Sequence, residues 1–389
     1  AGLGLPDHLP APPERMSDQD IETGEWIRDE VRSDLAVGPA AAAWVTPGGL
    51  PVVIDAETGE HHLLDLPDVV SANVLARSQH GSDWQPVALS PDGRLLAYGY
   101  GRITDAVSLT GIRVVDLVTG ELAWDRPLSS SGPVVVSQLT WSRSSEWLGW
   151  RGSRPREWTT SSIGGNDPVA GVLSDEVTGP VVELEVAGSG AIAVSDEGFG
   201  YALDSGRVTT FASCPPTSRF DTFCVPSTVR RVPGTADVAP GAALSPDGSI
   251  LALSTYDGYD LVTLELGDRR PTVAAEGMPD DRPWQVSALG WIDDEHVLVL
   301  RDDDEGSDGI LSVVPVDAED GTSVDVGVVD SAVGTPSVAI DLVTLDRPTV
   351  ERPDPDWPWS EERWVATLGG GALLVLLLLG LGLLLRRRA

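Results

Sequence analysis

The segment Val87-Ala-Leu-Ser-Pro-Asp-Gly-Arg-Leu-Leu-Ala-Tyr98 is the most informative about the architecture, because two short apolar runs flank a tight turn at Pro91-Asp92-Gly93. Proline, aspartate and glycine in this order are typical of a β-turn between strands. After a polar stretch, Gly111-Ile-Arg-Val-Val-Asp-Leu-Val-Thr-Gly-Glu121 adds a further strand and a turn at Thr119-Gly120. The sequence therefore predicts an up-and-down antiparallel sheet over residues 87–121.

The same pattern recurs along the chain. A clear copy begins with Ala242-Ala-Leu-Ser-Pro-Asp-Gly-Ser-Ile-Leu-Ala-Leu253, and weaker copies cover residues 138–150, 182–194 and 288–300. The first turns of the copies lie about 46 to 57 residues apart, near Ser90, Ser142, Gly188, Ser245 and Ile292. This period is typical of the four-stranded blades of a β-propeller, so the predicted fold is all-β.

The first copy is incomplete. Residues 51–66 align with 112–128, since Asp55-x-x-Thr58-Gly59-Glu60 matches Asp116-x-x-Thr119-Gly120-Glu121, but only the strand Ala40–Val45 precedes them. The apolar segment Ser337–Leu345 has no blade of its own. We expect it to supply the missing inner strand and so close the ring. Six blades follow from this count; a seventh within residues 151–180 or 214–236 stays open.

A hydrophobic run lies near the C-terminus. Every residue from Val365 to Leu385 is apolar or small apart from Thr367, and Arg386, Arg387 and Arg388 follow. As a helix the run is about 30 Å long, the thickness of the hydrocarbon core of a bilayer. Basic residues favour the cytoplasmic side of a membrane, and the preceding Trp357, Trp359 and Trp364 suit the opposite interface. The sequence predicts a single-pass protein of the cell membrane with its C-terminus in the cytoplasm.

The other segments complete the predicted organisation: a strap over 1–36, the propeller over 37–346, an acidic proline-rich stalk over 347–363, the membrane helix over 364–386 and a tail over 387–389. Ile21, Trp26, Ile27 and Val31 are spaced loosely as in a helix. Because the chain starts at Ala1 and the ectodomain needs export, we expect a signal peptide or a second anchor before it.

The charge of the chain excludes one class of partner. It carries 60 acidic and 26 basic residues, a formal net charge of −34 at pH 7, and a nucleic acid would be repelled. Every basic residue other than histidine is arginine, as in GC-rich bacterial genomes.

The two cysteines, Cys214 and Cys224, lie close together in the sequence. In an oxidising compartment such a pair most simply forms a structural disulfide. Free thiols or a redox pair are the alternatives, although the Cys-x-x-Cys spacing of redox motifs is absent.

Two resemblances follow from these motifs. The Ser-Pro-Asp-Gly turns with Leu95-Leu-Ala-Tyr98 or Ile250-Leu-Ala-Leu253 resemble the WD40-like β-propeller repeats of the TolB type over roughly residues 37–346. Together with the opening Leu5-Pro-Asp-His-Leu-Pro10, the chain resembles membrane-anchored WD40-like proteins of GC-rich bacteria. Asp116–Trp124 is similar to the repeat of quinoprotein propellers, but the adjacent cysteines of many quinoprotein dehydrogenases are missing.

A search for catalytic chemistry yields no catalytic residue, metal ligand or cofactor site. A Gly-x-Ser-x-Gly elbow is absent, and His61 and His62 are interpreted as surface residues of a turn rather than a metal chelate. The acidic patch 302–309 is interpreted as a solvated hairpin tip, with a Ca²⁺ site as the alternative. Trp141, Trp147, Trp150 and Trp158 are assigned mainly to packing, with Trp150 and Trp158 in a sugar or peptide site as the alternative.

We therefore expect a non-catalytic propeller outside the cytoplasm that binds a protein or an envelope component. The sequence does not indicate which one. The alternative is a quinoprotein-like or glycan-active enzyme, and a third hypothesis is a sensor acting through another membrane protein.

Overall fold

The structure is a computed structural model that describes residues 2–12, 31–46, 49–69, 86–103, 108–128, 132–159, 162–175, 184–185, 190–204, 207–212, 228–231, 238–255, 261–266, 272–273, 284–303, 308–316 and 323–353. These ranges belong to one compact unit, which spans Ala1–Pro353. The predicted membrane helix, Cys214 and Cys224 lie outside them. Within the described ranges, none of the helices is long and apolar enough to cross a membrane.

Strands make up nearly all of the regular structure. The first half of the chain contains β1 His8–Leu9, β2 Val31–Arg32, β3 Ala40–Val45, β4 Pro51–Asp55, β5 His61–Leu64, β6 Val87–Leu89, β7 Leu95–Ile103, β8 Ser108–Asp116, β9 Glu121–Pro127, β10 Val135–Trp141, β11 Leu148–Thr159, β12 Ser162–Leu173 and β13 Leu184–Glu185. The second half contains β14 Ile192–Val194, β15 Phe199–Asp204, β16 Arg207–Ala212, β17 Thr228–Arg231, β18 Val238–Leu244, β19 Ile250–Thr255, β20 Leu261–Glu265, β21 Thr272–Val273, β22 Trp284–Trp291, β23 His296–Asp303, β24 Gly309–Pro315, β25 Val324–Val329 and β26 Ser337–Val338. Two 3-10 helices, Ser331–Val333 and Ile340–Leu342, flank β26.

The described strands form six sheets. Four strands of each sheet are antiparallel, in the up-and-down arrangement that the repeat predicted. Sheets 2 to 5 each contain four consecutive antiparallel strands, β6 to β9, β10 to β13, β14 to β17 and β18 to β21. Sheet 6 has the order β22-β23-β24-β25-β1, and sheet 1 has the order β26-β3-β4-β5-β2. Each sheet is an antiparallel set of four, and in sheets 1 and 6 a fifth strand adds in parallel.

Buried apolar side chains fill the space between successive sheets. The cluster between sheets 1 and 2 includes Ala43, Val53, Leu96 and Tyr98, and comparable clusters lie between sheets 2 and 3, 3 and 4, 4 and 5, and 5 and 6. A single four-stranded sheet cannot bury both of its faces, so each sheet depends on its neighbours. The first strands β6, β10, β14, β18 and β22 contact one another in that order.

The two ends of the repeat region pair within sheet 1, where the sequence lacked an inner strand. Ser337 lies opposite Ala43 and Val338 opposite Ala42, and the Ala339 N–H donates a hydrogen bond to the Ala41 carbonyl at 2.9 Å. The paired strand is only two residues long, shorter than the predicted Ser337–Leu345, because a 3-10 helix begins at Ile340.

A serine defines the first turn of sheets 2 to 5. In sheet 2 the Ser90 N–H donates to the Leu95 carbonyl at 2.9 Å, and the Ser90 hydroxyl accepts from the Leu95 N–H at 2.8 Å. Ser142, Ser195 and Ser245 make the corresponding two bonds in sheets 3 to 5. Sheet 4 corrects the sequence alignment, because its first turn is Ser195–Gly198 and not the predicted Gly188.

The segments before and after the repeat region also differ from expectation. Val31 lies in strand β2, not in a helix. Residues 347–353, assigned to a solvated stalk, pack against the N-terminal segment; the Val350 N–H donates to the Leu5 carbonyl at 2.7 Å. The rest of the predicted stalk lies outside the described residues.

Candidate functional site

A central cavity lies where the inner strands of the six sheets meet. Its volume is about 180 Å³, and its walls come from β6, β10, β14, β18, β22 and β26. The first turn of each of sheets 2 to 5 directly follows the inner strand, so these turns gather at one end of the cavity, here called the turn end. At this volume the cavity is below the roughly 300 Å³ of a small ligand pocket, which favours recognition of one side chain or loop tip at the turn end.

Arg143 lies across the turn end. It belongs to the first turn of sheet 3, yet its Nη1 donates a hydrogen bond at 2.9 Å to the carbonyl of Trp291 in sheet 6. Its Nη2 is 2.6 Å from Oδ1 of Asp341, in the 3-10 helix that follows β26. Both side chains are partly exposed, at 32% and 39%. Among the lining residues that the structure describes, Arg143 is the only basic one.

Three further carboxylates line the turn end of the cavity. Asp196, Glu197 and Asp247 line the cavity. The Ser144 N–H donates to Asp196 at 2.7 Å, and the Ser245 hydroxyl donates to Asp247 at 2.7 Å. The Ser245 hydroxyl, followed by Ser249, holds the pKa of Asp247 below its ordinary value. The turn end is therefore negatively charged near neutral pH, which favours partners with basic groups.

Two tryptophans of the cavity wall make hydrogen bonds to the inner strand of a neighbouring sheet. The indole N–H of Trp141 in sheet 3 donates to the Ala88 carbonyl of sheet 2 at 3.1 Å. The indole N–H of Trp291 in sheet 6 donates to the Ala243 carbonyl of sheet 5 at 3.0 Å. The four residues occupy equivalent repeat positions, since each tryptophan ends an inner strand and each alanine is the penultimate residue of one.

A second polar cluster fixes the segment between sheets 1 and 2. Arg113 donates to Asp125 at 3.0 Å and to Asp68 at 2.9 Å, and its guanidinium lies 4.1 Å from the ring centroid of Tyr100. Burial raises the pKa of Tyr98, beside Arg113, to about 12. Arg113 is paired with two carboxylates and stacked on the Tyr100 ring, so we assign this cluster to structure.

The two adjacent histidines are not the surface pair that the sequence predicted. His62 is buried, at 5% exposure, and burial is the main cause that lowers its pKa. Arg32 of strand β2 approaches its Nδ1 to 3.2 Å. His61 makes an edge-on contact with Trp44, with ring centroids 6.1 Å apart. The prediction was wrong because β2, a strand the sequence did not reveal, covers this edge.

The assignment of Trp150 to packing is confirmed, because it is 0% exposed between sheets 2 and 3. The side chain of Trp158 and residues 304–307 of the acidic patch lie outside the described part. Within the described ranges, no three or more His, Cys, Asp or Glu residues are grouped closely enough to hold a metal ion.

Sequence reasoning missed Arg143. The signal was its alignment: Ser142-Arg143-Ser144-Ser145 occupies the place of Ser90-Pro91-Asp92-Gly93, so the arginine stands where the two clear copies carry Pro91 and Pro246. Its partners Trp291 and Asp341 lie far away in the chain, and only the packing of the sheets brings them together.

No protein-family model matches the sequence, and no curated protein matches it. Several solved structures have a similar fold. TolB from Acinetobacter baumannii is 14% identical, with a TM-score of 0.39 over 76% of this chain and 67% of that one. A putative 6-phosphogluconolactonase from Bacteroides uniformis is 14% identical, with a TM-score of 0.45 over 83% and 87%. A prolyl endopeptidase is 14% identical, with a TM-score of 0.41 over 72% and 38%. Similarity at this level identifies no function.

Proposed function

We propose that this protein is a non-catalytic binding module, a six-bladed propeller that recognises a protein or envelope component at its turn end. The observation that carries the proposal is the central cavity, bordered by all six sheets and surrounded at one end by carboxylates. In the ligand we expect basic groups presented on a loop or an extended segment, because the cavity is small and its mouth is acidic.

The ring itself is supported by the contacts of β26. This strand pairs with β3 in sheet 1 and also contacts β6 of sheet 2 and β22 of sheet 6. Each inner strand therefore has an inner strand on either side. A ring closed in this way has no exposed terminal sheet face, which would otherwise be an aggregation hazard.

The proposed location is the outer side of the cell membrane, and it rests on the sequence of residues 365–388. Protease added to spheroplasts should digest the propeller and spare a tag attached after Ala389. Digestion of that tag would contradict the proposed orientation.

A site-specific photocrosslinker tests the binding surface. Glu197 is exposed at the turn end, whereas Leu122, 51% exposed, lies on the outer strand β9 of sheet 2 and provides the control. In native membranes we expect a discrete adduct from position 197 and none from position 122. Adducts of equal yield from both positions, or none from position 197, would refute binding at the turn end.

Charge substitution at the turn end extends the same crosslinking experiment. Asp196→Asn combined with Glu197→Gln, with the crosslinker moved to Pro246, which also lines the cavity, removes two carboxylates of the turn end. Glu121→Gln, on the outer strand, is the control for loss of an exposed carboxylate away from the turn end. The double substitution should reduce the adduct several-fold and the control should not; equal yields would exclude a role for the acidic rim.

A further inference from the structure

The N-terminal arm, Gly2–Pro12, joins the two sheets that flank the closure. Its strand β1 lies parallel to β25 of sheet 6, with His8 opposite Val328 and Leu9 opposite Val329. Four residues earlier, the Gly4 N–H donates a hydrogen bond to the Ala56 carbonyl of sheet 1 at 3.1 Å. One short segment thus makes backbone bonds to both sides of the seam between sheets 1 and 6.

The arm is packed into the molecule rather than laid over it. Leu5 and Leu9 are both 0% exposed. A Cβ on Gly327 of β25 would approach the Asp7 carbonyl oxygen to 2.7 Å, so glycine is needed there for the arm to come this close. Asp330 fixes the end of the strand, because it accepts bonds from His8 at 3.0 Å and from the Ala11 N–H at 2.8 Å.

The exit segment, Arg347–Arg352, makes the same connection in the opposite order along the chain. The Thr349 hydroxyl donates to the Val326 carbonyl of sheet 6 at 2.7 Å. Arg352 Nη2 donates to the Ala56 carbonyl of sheet 1 at 3.2 Å.

The arm and the exit segment also bind each other. The Asp7 N–H donates to the Val350 carbonyl at 3.1 Å, and the Val350 N–H donates to Leu5. Arg347 Nη2 donates to the Leu3 carbonyl at 2.9 Å.

We propose that the arm and the exit segment form a second, outer closure of the ring, which clamps sheets 1 and 6 together and fixes the point where the chain leaves the propeller. The inference rests on the proposed ring. The inner closure is a pairing of only two residues, which a force or a fluctuation at the seam can open. The outer closure resists that opening because it ties the same two sheets together at a separate place. It also makes the N-terminal arm the element whose release would loosen the seam.

Hydrogen exchange measured by NMR in the full chain tests this role. The double variant Leu5→Ala, Leu9→Ala removes the buried anchors, and Leu3→Ala, 43% exposed on the same arm, is the control. In the double variant we expect exchange of the Val328, Asp330 and Val350 amides to rise by about tenfold or more, since buried leucines are costly to truncate. The Ala339 amide of the inner closure should follow, while β11 and β15 keep the exchange rates of the parent.

Unchanged exchange at Ala339 would overturn the proposal, and so would an equal rise in all six sheets, because either result removes the specific link to the seam. Should the double variant not fold, Leu9→Val serves instead and should give a smaller rise at the same amides. The ring is tested separately in the parent chain. If the Ala339 amide of the parent exchanges as fast as an unstructured amide, the inner closure does not form, and this result is independent of the arm.

Discussion

Gly93 serves two parts of the molecule at once. It completes the first turn of sheet 2 with a φ of 74°, and its missing side chain leaves room for sheet 1, since a Cβ would lie 2.0 Å from the Ala40 carbonyl oxygen. Gly248 is the equivalent residue of sheet 5, with a φ of 70°, but the nearest atoms to its Cβ would be 3.9 Å away. Substitution of Gly248 therefore measures the cost of backbone strain alone, whereas substitution of Gly93 adds a steric clash with sheet 1.

We predict that Gly248→Ala lowers the free energy of unfolding by about 1 to 2 kcal/mol, the cost of a left-handed non-glycine residue. Gly93→Ala should cost about 2 kcal/mol more, because the methyl group also forces sheet 1 away from the turn. Denaturant unfolding of both variants measures the difference. Equal costs would mean that sheet 1 does not approach this turn.

Asp247 gives the turn end a dependence on pH. Its pKa is lower in the folded protein than the ordinary 3.8, so its stabilising contribution is present above that value and is lost as the pH falls through the folded pKa. Asp247→Asn should lower the urea midpoint near pH 7, and parent and variant should converge as the pH falls through the folded pKa of the aspartate. A gap that is constant with pH would show that the carboxylate charge makes no contribution.

At the scale of strands and sheets, indole hydrogen bonds link neighbouring inner strands. Trp291 and Trp150 are both buried, at 2% and 0% exposure, but they differ in hydrogen bonding. The Trp291 N–H donates to Ala243, whereas the Trp150 N–H has no acceptor within the described residues. Tryptophan-to-phenylalanine substitution removes the same volume at both positions, so the difference between them reports the hydrogen bond.

We predict that Trp291→Phe destabilises the protein by about 1 kcal/mol more than Trp150→Phe, the usual net value of one hydrogen bond. In the unfolded chain the Ala243 carbonyl accepts a hydrogen bond from water. In the folded Trp291→Phe variant the same carbonyl has lost its indole donor. Thermal or denaturant unfolding of the two variants decides the point. A larger loss for Trp150→Phe would contradict the assignment of the bond to inter-sheet stability.

Individual elements were predictable where a turn has a fixed chemistry. The match between Asp55–Glu60 and Asp116–Glu121 is confirmed, since Asp55 and Asp116 each accept bonds from the two backbone N–H groups that follow in the turn, at Glu57 and Thr58 and at Val118 and Thr119. Sheet 4 was misaligned because apolar periodicity alone favoured Gly188, whereas a serine three residues before a glycine identifies Ser195–Gly198. Strand β2 escaped prediction because a two-residue parallel pairing depends on the neighbouring sheet and leaves no periodic pattern.

At the scale of the whole molecule, the sequence predicted that the two ends of the repeat region pair. The first copy lacks an inner strand, and Ser337–Leu345 has no blade of its own. Sheet 1 takes three antiparallel strands from the start of the repeat region and its inner strand from the end. A strap over residues 1–36 was expected, but the contacts of the arm, the exit segment and Arg143 were not predictable, because each depends on residues that only the assembled sheets bring close. The same holds for the candidate site: the sequence indicated the turn that carries Asp247, but neither the turn that carries Asp196 and Glu197 nor the role of Arg143.

An engineered disulfide between β3 and β26 shows whether the two ends of the repeat region pair. Ser337 and Ala43 lie opposite each other in an antiparallel pair, where side chains are close enough for a disulfide. In a chain with Cys214 and Cys224 replaced by serine, Ser337→Cys with Ala43→Cys should form a disulfide in the folded protein, detected as a linked peptide by mass spectrometry. Two free thiols in a chain that unfolds at the denaturant midpoint of the parent would contradict closure of the ring by these strands.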